Sequence, residues 1–114
     1  MEECIFCKIV KGEIPCTKVY ENENALAFDD IAPLAPVHVV VVPKTHISTL
    51  MDVKAGDTKL IADLLAAVQE VARITQVDRP GFRTVINCNE DGGQLVFHLH
   101  IHVLGGRKLA DGMG

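Results

Sequence analysis

From about Val53 to Val77 the apolar residues Leu60, Ile61, Leu64, Leu65, Val68, Val71 and Ala72 recur at intervals of three and four. That spacing predicts a long amphipathic helix with one face on a core. Between Pro36 and Pro43 the run Val37-His38-Val39-Val40-Val41-Val42 is β-branched almost throughout. It predicts a central strand covered on both faces, with one histidine set into it. Cys4 to Lys11 has helical spacing at Ile5, Phe6 and Ile9, and Gly12 stands where a short helix would stop. Cys16 to Asn22 and Ala25 to Asp29 predict two strands around a polar turn at Glu21 to Asn24. Arg83 to Cys88 and Leu95 to Leu104 predict a hairpin joined by Asn89-Glu90-Asp91-Gly92-Gly93, whose glycines allow positive φ angles. Together these elements predict an α+β fold, a five-stranded antiparallel sheet with one long and one short helix, as a single domain over residues 1–114.

Composition narrows the class. With 114 residues, 48% of them hydrophobic but only 4% aromatic, the chain supports one core built from Val, Ile, Leu and Ala. A formal charge of −4 without any Lys or Arg run argues against a broad grip on nucleic acid, so a bound nucleotide would be held locally. The opening Met1-Glu2-Glu3-Cys4 lacks the basic and apolar features of a secretory signal, and no apolar run approaches membrane-spanning length. The expected location is the cytoplasm, where Cys4, Cys7, Cys16 and Cys88 would be thiols or metal ligands rather than disulfides.

The chemistry concentrates in His98-Leu99-His100-Ile101-His102-Val103. In a strand this alternation sends all three imidazoles to one face, about 7 Å apart, and the aliphatic residues to the other. One lone histidine would be read as a satisfied core residue, but three in alternation point to a site. A zinc site on His100 and His102 is one reading, although no nearby carboxylate completes a catalytic ligand set. Nucleophilic attack on phosphorus fits better. A neutral imidazole whose Nδ1–H donates to a carbonyl presents its Nε2 lone pair, while a neighbouring imidazole and the amides of Gly92, Gly93 and Gln94 could donate to phosphate oxygens.

The run His98 to Leu104, followed by Gly105-Gly106-Arg107, resembles the signature of the histidine triad (HIT) family, in its Hint-like nucleoside phosphoramidase branch. The resemblance extends through Ile5-Phe6, Glu13-Ile14-Pro15, Phe28-Asp29-Asp30-Ile31, Ala35-Pro36-Val37-His38 and Gly92-Gly93-Gln94. It implies that His100 forms a nucleotidyl-histidine intermediate, that His102 hydrogen-bonds the phosphate and that His38 supports the nucleophile through a relay. It implies further that Asp30 holds the ribose hydroxyls, that Ile31, Phe6, Ile14 and Phe28 form an apolar slot for the base, and that Asn87, Gly93 and Gln94 contact phosphate or leaving group. Outside that resemblance, Phe6, Ile14, Phe28 and Ile31 read equally as core, Asp30 as a turn former and Asn87 as a hairpin cap. Leu95 departs from the pattern, standing where some phosphoramidases carry a polar residue that assists the departing amine.

The resulting expectation is hydrolysis of a purine nucleoside 5′-phosphoramidate, with no redox cofactor. The alternatives are cleavage of dinucleoside polyphosphates and a nucleotide-binding regulatory module with residual activity. Cys4 and Cys7, three residues apart, suit two thiolates on one metal. Resemblance to some HIT proteins adds His46 and His98 to complete a structural zinc site, against the reading of two reduced thiols. The apolar surface of the Leu95 to Leu104 strand and of the long helix exceeds what a five-stranded monomer readily hides. The resemblance implies a homodimer whose sheet continues across the twofold axis.

Overall fold

A computed structural model describes residues 4–113. Met1 to Glu3, which carry part of the reading of the N-terminus, lie outside them. The elements are α1 (Ile5–Val10), β1 (Lys18–Glu21), β2 (Ala25–Asp29), β3 (Val37–Pro43), a single 3-10 turn (Leu50–Asp52), α2 (Thr58–Ile74), β4 (Phe82–Val85) and β5 (Ile101–Gly105). The five strands form one antiparallel sheet in the order β1-β2-β3-β5-β4. None of the helices among the described residues is long and apolar enough to cross a membrane.

The valine run forms the middle strand, as its composition predicts. Val39 and Val41 point to one face, where they join Leu64, Ala67, Val68 and Val71 of α2 and Leu99, Ile101 and Val103 in the larger core. Val40 and Val42 point to the other, packed with Leu26 and Phe28 beneath Phe6, Ile9 and Val10 of α1. Period-two alternation in β3 thus builds two cores from one strand.

Several boundaries move for identifiable reasons. The long helix begins at Thr58 rather than near Val53, because Thr49 and Asp52 close a capping box on the 3-10 turn and Asp57 accepts the Lys54 amide. Cys4 is the N-cap of α1, not its first turn, and its Sγ accepts the Cys7 amide at 3.3 Å.

The predicted hairpin is the main correction. β4 and β5 do pair, with Val85 opposite His102, but β5 starts only at Ile101, and residues 86–100 form an irregular segment instead of a tight turn with long flanking strands. Side chains divert that backbone. The Gln94 Oε1 accepts the Asn89 amide, its Nε2 donates to the carbonyls of Ser48 and Val96, and the Leu99 amide donates to Ile47 at 2.6 Å. Gly93 has the expected positive φ of 83°. Gly92 is needed for closeness instead, since a Cβ there would meet the Cys88 carbonyl oxygen at 2.5 Å.

Candidate functional site

All three triad histidines lie opposite Leu99, Ile101 and Val103, although only His102 is within a strand. Phe6 marks their side of the sheet, with its ring edge-on to His98 at 5.9 Å and to His100 at 5.1 Å between centroids. The His100 and His102 centroids are 5.0 Å apart with the rings inclined at 74°, closer than the strand repeat predicts, His100 standing just before β5. Each histidine has a different set of partners.

The His100 Nδ1–H donates to the His98 carbonyl at 2.7 Å, which leaves the lone pair on Nε2. This is the tautomer that nucleophilic attack requires. His102 has the opposite one. The Leu34 amide donates to His38 Nδ1 at 3.1 Å, so the proton of His38 is on Nε2, and that N–H donates to His102 Nδ1 at 2.9 Å. His102 therefore keeps its own proton on Nε2. The pair offers a lone pair and a donor side by side, fixed from two directions by backbone groups. Burial first, then the neighbouring imidazoles of His100 and His38, pushes the His102 pKa below its ordinary value and favours the neutral ring.

Of the relay expected at His38, the structure shows the bond from His38 to His102; no direct bond from His38 to His100 is part of it. The support for His100 is the His98 carbonyl, and behind the relay stands the Leu34 amide. Both are backbone groups, and no side-chain pattern in the sequence marks them.

A cleft of about 460 Å³ is lined by Phe6, Ile14, Phe28, Asp30, Ile31 and Val40 among others, with no triad histidine in its lining; Phe6 connects the two, its ring 5.1 Å from that of His100. All five residues expected to hold a nucleoside are therefore brought together. The Asp30 Oδ1 accepts the Ala32 amide at 2.8 Å, and its Oδ2 lies 3.4 Å from His38 Nε2. Ile31 is fully exposed at the rim.

The expected phosphate donors fare differently. The amides of Gly93 and Gln94 donate to Glu90 and Asn89, the Gln94 side chain is spent on the backbone, and Asn87 Nδ2 donates to the Gly92 carbonyl. In this structure these groups brace their own loop. Leu95, 91% exposed, lines a second cavity with Cys4, Cys7, His46 and Phe97 and not the nucleoside cleft.

Cys4, Cys7, His46 and His98 bring their ligand atoms within 4.8 Å of one another. Sγ to Nδ1 distances of 3.3, 3.3 and 3.6 Å join Cys4 to His98, Cys7 to His46 and Cys7 to His98. A tetrahedral zinc with bonds of about 2.3 Å to sulfur and about 2.1 Å to nitrogen has S···N edges of about 3.6 Å. The buried His98 donates Nε2–H to the Pro43 carbonyl at 2.8 Å, so Nδ1 is free to ligate and the ring is held by the kind of outer hydrogen bond metal-bound histidines make. Burial, followed by the adjacent Cys4 thiol, raises the Cys7 pKa, a shift that a metal cation would reverse. The donor set fits a closed structural zinc site.

Asp30, His38 and His102 also cluster within 4.8 Å. They are unfit for a metal, because the Leu34 amide occupies His38 Nδ1 and forces a proton onto the Nε2 that would have to ligate. His100 belongs to neither cluster, so the zinc reading of His100 with His102 finds no ligand set among the described residues.

The HIT domain model matches residues 11–109. The chain is 49% identical over 109 residues to an uncharacterised HIT-like protein of Synechococcus elongatus, covering 96% of this chain and 95% of that one. It is 39% identical over 108 residues to the purine nucleoside phosphoramidase of Escherichia coli K12, covering 95% and 91%. A solved HIT family hydrolase from Clostridium thermocellum superposes with a TM-score of 0.95 at 40% identity, covering 99% and 98%. The alternating histidines, the antiparallel sheet that carries them and these likenesses converge on one assignment: the chain belongs to the HIT domain family.

Proposed function

We propose that this protein, one domain over residues 1–114, hydrolyses purine nucleoside 5′-phosphoramidates of the adenosine 5′-monophosphoramidate type. The observation that carries the reading is the pair of opposed tautomers, with His100 Nε2 holding a lone pair and His102 Nε2 holding a proton. The likeness to the Escherichia coli phosphoramidase supports the substrate class.

In the proposed cycle the base enters the slot of Phe6, Ile14, Phe28 and Ile31, and Asp30 accepts the ribose hydroxyls. His100 Nε2 attacks the α-phosphorus while His102 donates to a non-bridging oxygen. The N–P bond to the substrate amine breaks, and the amine takes a proton from a water, leaving hydroxide. That hydroxide then attacks phosphorus, breaks the bond to His100 and releases the nucleoside monophosphate, which restores the lone pair, so that one water is consumed per turnover.

Zinc on Cys4, Cys7, His46 and His98 would brace the segment entering β5 and supply no chemistry to the cycle. We place the enzyme in the cytoplasm as a homodimer. Phe82 on edge strand β4, with Leu65 and Ile74 on α2, leaves apolar surface exposed that a partner copy would cover.

Cleavage of dinucleoside polyphosphates is the second reading: where the resemblance leads one to expect a polar group that assists the amine, this chain has Leu95, which lines the second cavity. A leucine cannot protonate an amine, whereas a nucleoside polyphosphate departs as a stable anion without such help. Side-by-side turnover of adenosine 5′-monophosphoramidate and a dinucleoside polyphosphate decides between them. Phosphoramidate turnover with a higher kcat/KM supports the proposal, and the reverse ranking moves the assignment to the polyphosphate branch. AMP binding with turnover of neither substrate would leave only a nucleotide-binding module.

A further inference from the structure

Cys4, Cys7, His46 and His98 come from separate stretches of chain, and their cluster is where those stretches meet. Cys4 caps α1 and Cys7 lies in its first turn, His46 follows β3, and His98 leads into β5. A backbone bond clips the last two stretches together, because Leu99, next to His98, donates to the carbonyl of Ile47, next to His46. From this junction the site is one step away in two directions. The His98 carbonyl accepts the His100 Nδ1–H at 2.7 Å. Phe6, between the two cysteines, lines the nucleoside cleft and stands edge-on to His100 at 5.1 Å. The helix that carries it has six residues, none of them fully buried, and meets the sheet through Phe6, Ile9 and Val10. The sulfurs are also reachable. Cys4, Cys7 and the exposed His46 line the second cavity, of about 680 Å³, and none of the four ligands lines the nucleoside cleft.

We infer that Cys4 and Cys7 are an oxidation site, at which peroxide joins the two sulfurs, expels the metal and loosens both α1 and the backbone that holds His100. The inference rests on the zinc and nucleotide readings above and adds a control to them.

The chemistry needs only the two thiolates and a peroxide. One thiolate attacks the peroxide, the O–O bond breaks and hydroxide leaves, giving a sulfenic acid. The second thiolate attacks that sulfur, the S–O bond breaks and a second hydroxide leaves as the S–S bond forms. Two electrons pass from the sulfurs to the peroxide. The sulfurs are placed for this, being three residues apart on one helical turn and within 4.8 Å of each other. They cannot be joined and still hold the metal. A disulfide sets them about 2.05 Å apart, whereas two sulfur corners of a tetrahedral zinc site are about 3.8 Å apart. His98 then keeps its bond to the Pro43 carbonyl and loses the sulfur partners of Nδ1. The junction opens at the residue whose carbonyl orients the nucleophile and at the helix that carries Phe6.

The test uses Cys16→Ser/Cys88→Ser protein, in which Cys4 and Cys7 are the remaining thiols. Hydrogen peroxide should make the peptide ending at Lys8 lighter by two hydrogens and release about one zinc per disulfide to a chromogenic chelator. AMP affinity and phosphoramidate kcat should each fall about tenfold, a coupling of ordinary size. The Leu99 amide should exchange with solvent faster, while that of Val71 in α2 should not. Dithiothreitol with added zinc should restore all of these, which oxidation at the exposed Met51 or Met113 would not permit. With Cys4→Ser and Cys7→Ser added, peroxide should change neither AMP affinity nor Leu99 exchange. The inference is overturned if no Cys4–Cys7 disulfide forms, if the disulfide forms with the metal retained, or if it leaves AMP affinity or Leu99 exchange as in the reduced protein. It is overturned equally if the variant without the pair responds to peroxide in the same way. Protein that purifies without zinc refutes the metal reading, and protein without turnover refutes the hydrolase reading; in both cases the disulfide, AMP affinity and Leu99 exchange still decide the inference.

Discussion

The two faces of the sheet are built from the same strands and do different work. On the α2 side, Val39, Val41, Leu99, Ile101 and Val103 meet a long amphipathic helix, and the larger core is wholly apolar. On the α1 side a six-residue helix covers only Leu26, Phe28, Val40 and Val42, and its Phe6 both lines an open cleft and lies edge-on to His98 and His100. One face is filled so that the other can remain partly open, and burying imidazoles next to that opening fixes their tautomers without sealing them off. Stability and chemistry are therefore separable by face.

The largest effect expected from that separation is on the α1 side. His100→Ala should lower kcat/KM for phosphoramidate by at least about 10³-fold with the cooperative melting transition retained, measured by steady-state kinetics and circular dichroism. On the α2 side, Leu64→Ala should cost about 2–5 kcal/mol in denaturant unfolding and leave turnover per folded molecule unchanged. A loss of activity beyond the loss of folded protein would break the comparison. The thiol cluster sits at the junction of the site and the scaffold, so Cys7→Ser should purify with far less than the about one equivalent of zinc expected of the wild type and melt at a lower temperature.

The smallest effect should come from protons. Burial depresses the pKa of both His98 and His102 in the folded chain. The unfolded chain takes up protons near the ordinary imidazole value of about 6.5, before the folded chain does. Their contribution to stability is therefore fully present above about pH 6.5 and declines as the pH falls below it. Denaturant titrations of metal-free protein between neutral and mildly acidic pH should show this decline, and His102→Asn should reduce it.

The α2 side was also the legible side. Helical periodicity over Leu60 to Ala72 and the valine run between two prolines are signals that packing enforces, because a misplaced apolar residue forfeits its burial. On the α1 side the alternation of histidines correctly predicted which face they share, and Phe6, Ile14, Phe28, Asp30 and Ile31, named from the resemblance, line one cleft. What escaped were decisions made by single hydrogen bonds. The start of β5 at Ile101 depends on Gln94 and Leu99 bonding to Ser48 and Ile47, and the direction of the His38–His102 bond is set by the Leu34 amide on His38 Nδ1. Such bonds join side chains to backbone groups far along the chain and leave no period in the sequence. The end of α2 shows the same limit, since Gln76 takes the positive φ of 62° usually marked by glycine.

The central claim is that the His100 Nε2 lone pair becomes a bond to phosphorus. Rapid acid-free quenching during turnover of radiolabelled adenosine 5′-monophosphoramidate, followed by peptide mapping, tests it directly. The account predicts AMP on the peptide containing His100, attached through that imidazole, and no label in His100→Ala. Full turnover in His100→Ala, or label on a different residue in the wild type, would contradict it.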